Sequence, residues 1–129
     1  MRNGKGGMTR AVRGAIQVEE NAAHAISAAT KRLVGEILRL NAIEEDRIVS
    51  VLFSLTEDLS AINPAAALRE TGFSRTPLFC TQEARIDGAM PRVIRVLLTF
   101  EQVAQGETVP VYLDGAQALR ADLSYGERP

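Results

Sequence analysis

Residues 48–55 (IVSVLFSL) form an almost continuous apolar run bounded by polar turns. A run of that length and β-branched content reads as a strand covered on both faces, and it commits the chain to a sheet with packed layers. Other stretches supply the neighbours. Residues 11–18 (AVRGAIQV) alternate so that Val12, Ile16 and Val18 share a face, which predicts a first strand. Residues 76–81, 92–100 (RVIRVLLTF) and 109–113 predict three more, and 116–120 (AQALR) could add another short one.

Two helices fit between the strands. From about 22 to 40, Ile26, Thr30, Leu33, Ile37 and Leu40 recur at helical spacing, widened by Val34 and Leu38, with Asn21 as the expected N-cap. A short helix opens at Asn63-Pro64 and is closed by Gly72: a cap, a proline at the first helical position, and a glycine past the end. The order β-α-β-α-β-β-β implies an α+β fold with one five-stranded mixed sheet, one long helix and one short one. So much apolar sheet in a small chain suggests an oligomer.

The chain of 129 residues fits one domain. We expect a Gly-rich disordered leader over 1–10 (with Met8 a plausible start), a domain over 11–123, and a flexible tail over 124–129. A net charge of −1 provides no basic field for nucleic acid or an anionic membrane. The absence of Trp and the presence of two Tyr leave few stacking platforms for single strands. No apolar run approaches the length of a membrane span, and no signal-peptide core is evident. The single Cys80 rules out an intrachain disulfide and favours a reducing compartment, so a cytoplasmic location is expected.

Thirteen arginines stand against two lysines. GC-rich codon usage would produce that bias; so would a need for planar carboxylate recognition. Two of the arginines sit in apolar strands: Arg95 between Ile94 and Val96, and Arg13 between Val12 and Gly14. A guanidinium pointing into a sheet interior or an interface is costly unless paired. It could pair internally, with Glu83 or Asp87, or it could meet an anionic ligand. Elsewhere the inventory is bare. His24 lies in a helix among alanines and is expected to face solvent. One His and one Cys offer no metal constellation, and nothing brings Cys80 to His24 as a nucleophile pair. Gly4, Gly6 and Gly7 follow no strand and make no phosphate loop. Glu19-Glu20 and Glu44-Glu45-Asp46 read as solvated faces. An enzyme built from this set would act by binding, orienting and stabilising charge.

Seven segments occur in one order: V-R-G-A-I-x-V-E-E-N at 12–21, T-E-D-L at 56–59, P-A-A-A-L-R-E at 64–70, P-L-x-C-x-Q-E at 77–83, G-A-M-P-R-V-I-R-V-L at 88–97, V-Y-L at 111–113 and A-L-R-x-D-L at 118–123. In these the chain resembles the trimeric α/β chorismate mutases, the non-helical class, over Ala11 to Leu123. The resemblance implies a trimeric pseudo-barrel with active sites between subunits, chorismate as substrate, prephenate as product in phenylalanine and tyrosine biosynthesis, and no cofactor or metal. It implies that Arg13 grips the enolpyruvyl carboxylate, Arg95 reaches the ether oxygen, and Tyr112 helps hold the side-chain carboxylate. Glu83 and Cys80 would fix the ring hydroxyl. Arg69 and Arg120 would lie at the pocket mouth, near the ring carboxylate, with Leu119, Ala65 and Leu78 lining the pocket.

The chain also departs from that pattern. Asn63 stands where the family usually has Phe; it serves either as a helix cap or as a more polar pocket wall. Phe79 is bulky at a wall position and could refill space lost at 63. Ala66 removes one possible carboxylate contact, and Ala121 should loosen the tail. These changes keep two alternatives in view: a related enzyme acting on a chorismate-like diacid, and a catalytically silent trimer binding small anions or proteins.

Overall fold

The computed structural model describes residues 7–103 and 106–120. The elements are β1 (Met8–Gln17), α1 (Ala23–Leu40), a 3-10 turn (Glu45–Arg47), β2 (Ile48–Leu55), α2 (Pro64–Arg69), β3 (Leu78–Gln82), β4 (Val93–Gln102), β5 (Val111–Leu113) and a second 3-10 turn (Ala116–Arg120). The five strands make one mixed sheet in the order β3-β2-β4-β1-β5. Central β4 runs antiparallel to both β1 and β2, while the outer pairs β2/β3 and β1/β5 are parallel. The expected α+β class, with one five-stranded mixed sheet and two helices, is therefore realised. No described helix is long and apolar enough to cross a membrane.

Both helices cover the same side of the sheet. Ile26, Leu33, Val34 and Ile37 of α1 pack on Val12 and Ile16 of β1, Val51 and Phe53 of β2, and Ile94, Val96, Leu98 and Phe100 of β4. Alternation along each strand sends the remaining side chains to the opposite face. There Leu52, Leu97 and Phe79 stay exposed. Residues 48–55 are thus covered on one face only, which corrects the expectation of a strand buried on both. An apolar run marks what a strand can bury; it does not say whether the second layer comes from the same chain.

Several local expectations also change. β1 begins at Met8, so residues 8–10 belong to the sheet and not to a leader. Residues 1–6 of the expected leader and 121–129, which include the expected tail and Ala121, lie outside the described residues. Asn21 does not cap α1; Ala22 holds that position without a side-chain bond. The Asn21 side chain instead accepts from the backbone N–H groups of Ser60 and Ala61 at 2.9 and 3.0 Å, tying the start of α1 to the loop after β2. Leu40 is exposed at the end of the helical stripe. Residues 116–120 form a 3-10 turn, not a strand. The acidic turn is only partly a solvated face, because Glu45 accepts from the Phe73 N–H at 2.8 Å and steadies the left-handed backbone there, at φ 60°.

Gly14 sets the spacing between sheet and helix. A Cβ at this position would lie 2.8 Å from the Val111 carbonyl oxygen and 2.9 Å from Ile37 Cδ1. Two elements therefore approach β1 as closely as a bare backbone allows. Overpacking at such a contact costs about 1–3 kcal/mol. Gly14→Ala should lower unfolding free energy by about that much in urea titrations. An unchanged midpoint would show that this contact does not limit the packing.

Candidate active site

The register places the predicted residues in rows across the open face. One row runs Thr81, Ser54, Arg95, Ala15, Tyr112, from β3 through β2, β4 and β1 to β5. The next runs Phe79, Leu52, Leu97, Arg13. Arg13 sits diagonally from Arg95 on neighbouring antiparallel strands, a separation of roughly 7–8 Å between backbone positions. Two guanidiniums and a tyrosine therefore occupy one face, with the small, fully buried Ala15 between Arg95 and Tyr112.

Arg95 is held from one side. Its Nε lies 2.7 Å from Glu83 Oε1, and that same oxygen accepts a hydrogen bond from the Ser54 hydroxyl at 2.9 Å. The Nε atom is buried, yet its N–H finds no acceptor in hydrogen-bond alignment. The contact is therefore a close charge pair and not a directed bond. Glu83 is set in place by its own N–H, which donates to the Leu55 carbonyl at 2.7 Å as the chain leaves β3. Of the two partners expected for Arg95, the structure selects Glu83. Arg13 is exposed and makes no ion pair or hydrogen bond with any described residue. It points out of the sheet's open face and not into the interior.

Tyr112 is 3% exposed and packs with Ala15, Val93 and Ala116, with Met90 and Leu119 against this second, smaller cluster. Leu119 and half-buried Arg120 stand on the 3-10 turn that follows β5. Arg13, Glu83, Arg95, Tyr112 and Leu119 thus gather on one side of the chain.

Apart from Phe79, the other predicted residues do not join them. Asn63 caps α2, its side-chain oxygen accepting from Ala65 N–H at 2.8 Å. Ala65 is buried in the main core, and Arg69 is exposed in the last turn of α2. Leu78 and Cys80 pack against the helix-side core, on the face of β3 opposite Thr81 and Phe79. Within one chain, Cys80 and Glu83 therefore face opposite sides of the sheet. Phe79 is on the open face, 66% exposed. His24 is exposed beside Glu20, as expected for a solvent-facing residue.

Ser54 escaped the sequence reading, and the signal for it was present. Ser50, Leu52 and Ser54 alternate within 48–55, so the two polar positions mark the uncovered face.

The fold is α+β, with two arginines, Glu83 and Tyr112 on the open face of the sheet. The chain matches the family described as chorismate mutase type I over residues 9–123. It is 42% identical over 118 residues to the AroH chorismate mutase of Thermus thermophilus, an alignment spanning 90% of this chain and 97% of that one. It is 38% identical over 119 residues to the AroH chorismate mutase of Bacillus subtilis, spanning 91% and 94%. The solved chorismate mutase of Clostridium thermocellum superposes with a TM-score of 0.82 at 37% identity, covering 84% of this chain and 98% of that one. This chain belongs to the type I chorismate mutase family, a family of isomerases.

Partial burial pushes the Cys80 thiol above its ordinary range. A raised value favours the neutral thiol in the folded chain, and that preference is complete below the ordinary thiol value. It is lost as pH rises through the raised value. Iodoacetamide labelling of the folded protein should therefore show a midpoint above that of an unfolded control. Coincident midpoints would contradict this.

Proposed function

We propose that this chain converts chorismate to prephenate, in the cytoplasm and in the service of aromatic amino-acid synthesis, at a site built on the open face of its sheet. The observation that carries the reading is the pairing of unlike arginines there. Arg13 has no partner among the described residues, and Arg95 is paired with Glu83, whose carboxylate Ser54 holds. Chorismate brings two carboxylates and an ether oxygen, and its rearrangement needs no proton transfer and no covalent intermediate. What it needs is a folded conformer with the bond-forming carbons held close, an orientation effect. Arg13 would take the enolpyruvyl carboxylate, with Tyr112 beside it. As the C–O bond stretches, charge accumulates on the ether oxygen. The Arg95 guanidinium, held in advance by Glu83, meets that charge more strongly in the transition state than in the ground state. Glu83 keeps its second oxygen for the ring hydroxyl.

The remaining residues come from a neighbouring copy in this reading. Asn63, Ala65, Arg69, Leu78 and Cys80 belong to α2 and β3 and stand away from Arg95 within one chain. The exposed row Phe79, Leu52, Leu97 is an apolar surface that a second copy would cover. A homotrimer joining open faces would bring one chain's α2–β3 edge to the next chain's arginines. Asn63 spends its oxygen on the helix cap, so its replacement of an aromatic wall need not bring new polarity to the pocket.

Two measurements test this. Chorismate loss, followed by ultraviolet absorbance, should be rapid and yield prephenate. Arg95→Ala should lower kcat by about 10²–10³-fold. Arg95→Lys should recover little of it, because an ammonium lacks the planar fork. Turnover unaffected by Arg95→Ala would refute the electrostatic assignment. Separately, Leu97→Glu should yield a folded monomer by sedimentation, inactive towards chorismate. An active monomer would overturn the shared site.

A further inference from the structure

The segment T-E-D-L at 56–59 lies where the strands that carry Ser54 and Arg95 are tied to the chain that follows β1. β2 ends at Leu55 and β4 begins at Val93. Between these ends Thr56 N–H donates to the Val93 carbonyl at 3.1 Å, and Val93 N–H donates to the Thr56 hydroxyl at 3.0 Å. That hydroxyl donates in turn to Asp58 Oδ1 at 2.6 Å. Both carboxylate oxygens of Asp58 accept from the Arg92 N–H, at 3.1 and 3.0 Å. Arg92 sits in the left-handed region at φ 54°, a conformation that a residue with a Cβ adopts only when its surroundings hold it there. Its other groups are engaged as well. The Arg92 carbonyl accepts from Val18 N–H at 2.7 Å, and its Nε donates to the Val18 carbonyl at 2.8 Å.

We infer that Asp58, braced by Thr56, is a positioning residue for catalysis. It clasps Arg92 in its left-handed conformation and so fixes where β4 enters the sheet. The clasp lies three residues before Arg95 and two after Ser54, and Leu55, next to Thr56, carries the backbone bond that seats Glu83. Loss of the carboxylate would free Arg92 to leave the left-handed region. The backbone entering β4 would then shift, and Arg95 would move relative to Glu83. Asp58 itself is exposed, and among the described residues its carboxylate accepts only from Arg92 and Thr56, so it can be replaced without removing a core side chain.

This inference rests on the proposed role of Arg95, and the test keeps the two apart. Asp58→Ala should lower kcat on the order of 10- to 100-fold, the scale of a small misplacement of a catalytic group, with KM changed far less. Asp58→Asn, which keeps one oxygen for the Arg92 N–H, should retain most of the activity. Adding Arg92→Gly to Asp58→Ala should restore part of kcat, because glycine takes a positive φ without strain. Activity is not the only readout: the side-chain Nε–H resonance of Arg95 should shift in Asp58→Ala and return towards its wild-type position in the double variant. If Asp58→Ala does not fold, Thr56→Val, which removes one arm of the clasp, should give the same kcat loss and the same shift. An unmoved Arg95 resonance, or wild-type kcat, in the folded variant overturns the clasp. A moved resonance in a protein that never turned over chorismate would uphold the clasp and reject the reading of the site.

Discussion

The fold depends on the alternation of side chains along β4. This strand lies between β1 and β2 and pairs with both, so its two faces fix what the whole sheet presents. One face carries Ile94, Val96, Leu98 and Phe100 into the helix-covered core. The other carries Val93, Arg95, Leu97 and Thr99, and with them the candidate site. Because the period is two, a slip of one residue would exchange core for site along the strand. The many apolar contacts of the core face hold that register, and with it the row in which Arg95 stands. An arginine in mid-strand is tolerated because Glu83 meets it and because the face it occupies is partly open to solvent.

Much of this architecture was legible in the sequence. Periodicity located α1, β2, α2 and β4 to within about two residues, since each has a long stripe or sharp punctuation. What was not legible depended on partners distant in sequence. Asn21 has the side chain of a cap, but Ser60 and Ala61 compete for its oxygen and win it. Residues 116–120 contain apolar residues at strand-like spacing, yet the chain has just turned at Asp114 and Gly115, both at positive φ, and it coils tightly. The expectation for 48–55 failed for a subtler reason. The same eight residues would look alike whether the second layer came from this chain or from another.

The candidate site was legible by chemistry more than by geometry. Arg95 and Arg13 stood out because a guanidinium in a strand needs a reason. That Glu83 would be the partner of Arg95 depended on how the chain leaves β3, which no spacing reveals. Cys80 is three residues from Glu83, but the strand sends its side chain to the opposite face, which spacing alone does not reveal.

The uncovered row of Phe79, Leu52 and Leu97 has a consequence for how the protein behaves in a cell. If a protomer is finished by its own copies, its stability and competence become functions of its abundance. Below the assembly threshold, freshly made chains would expose a sticky sheet, vulnerable to proteolysis and misassociation. Output would then climb more steeply than gene dosage, and flux through the reaction would respond to changes in synthesis without any effector site.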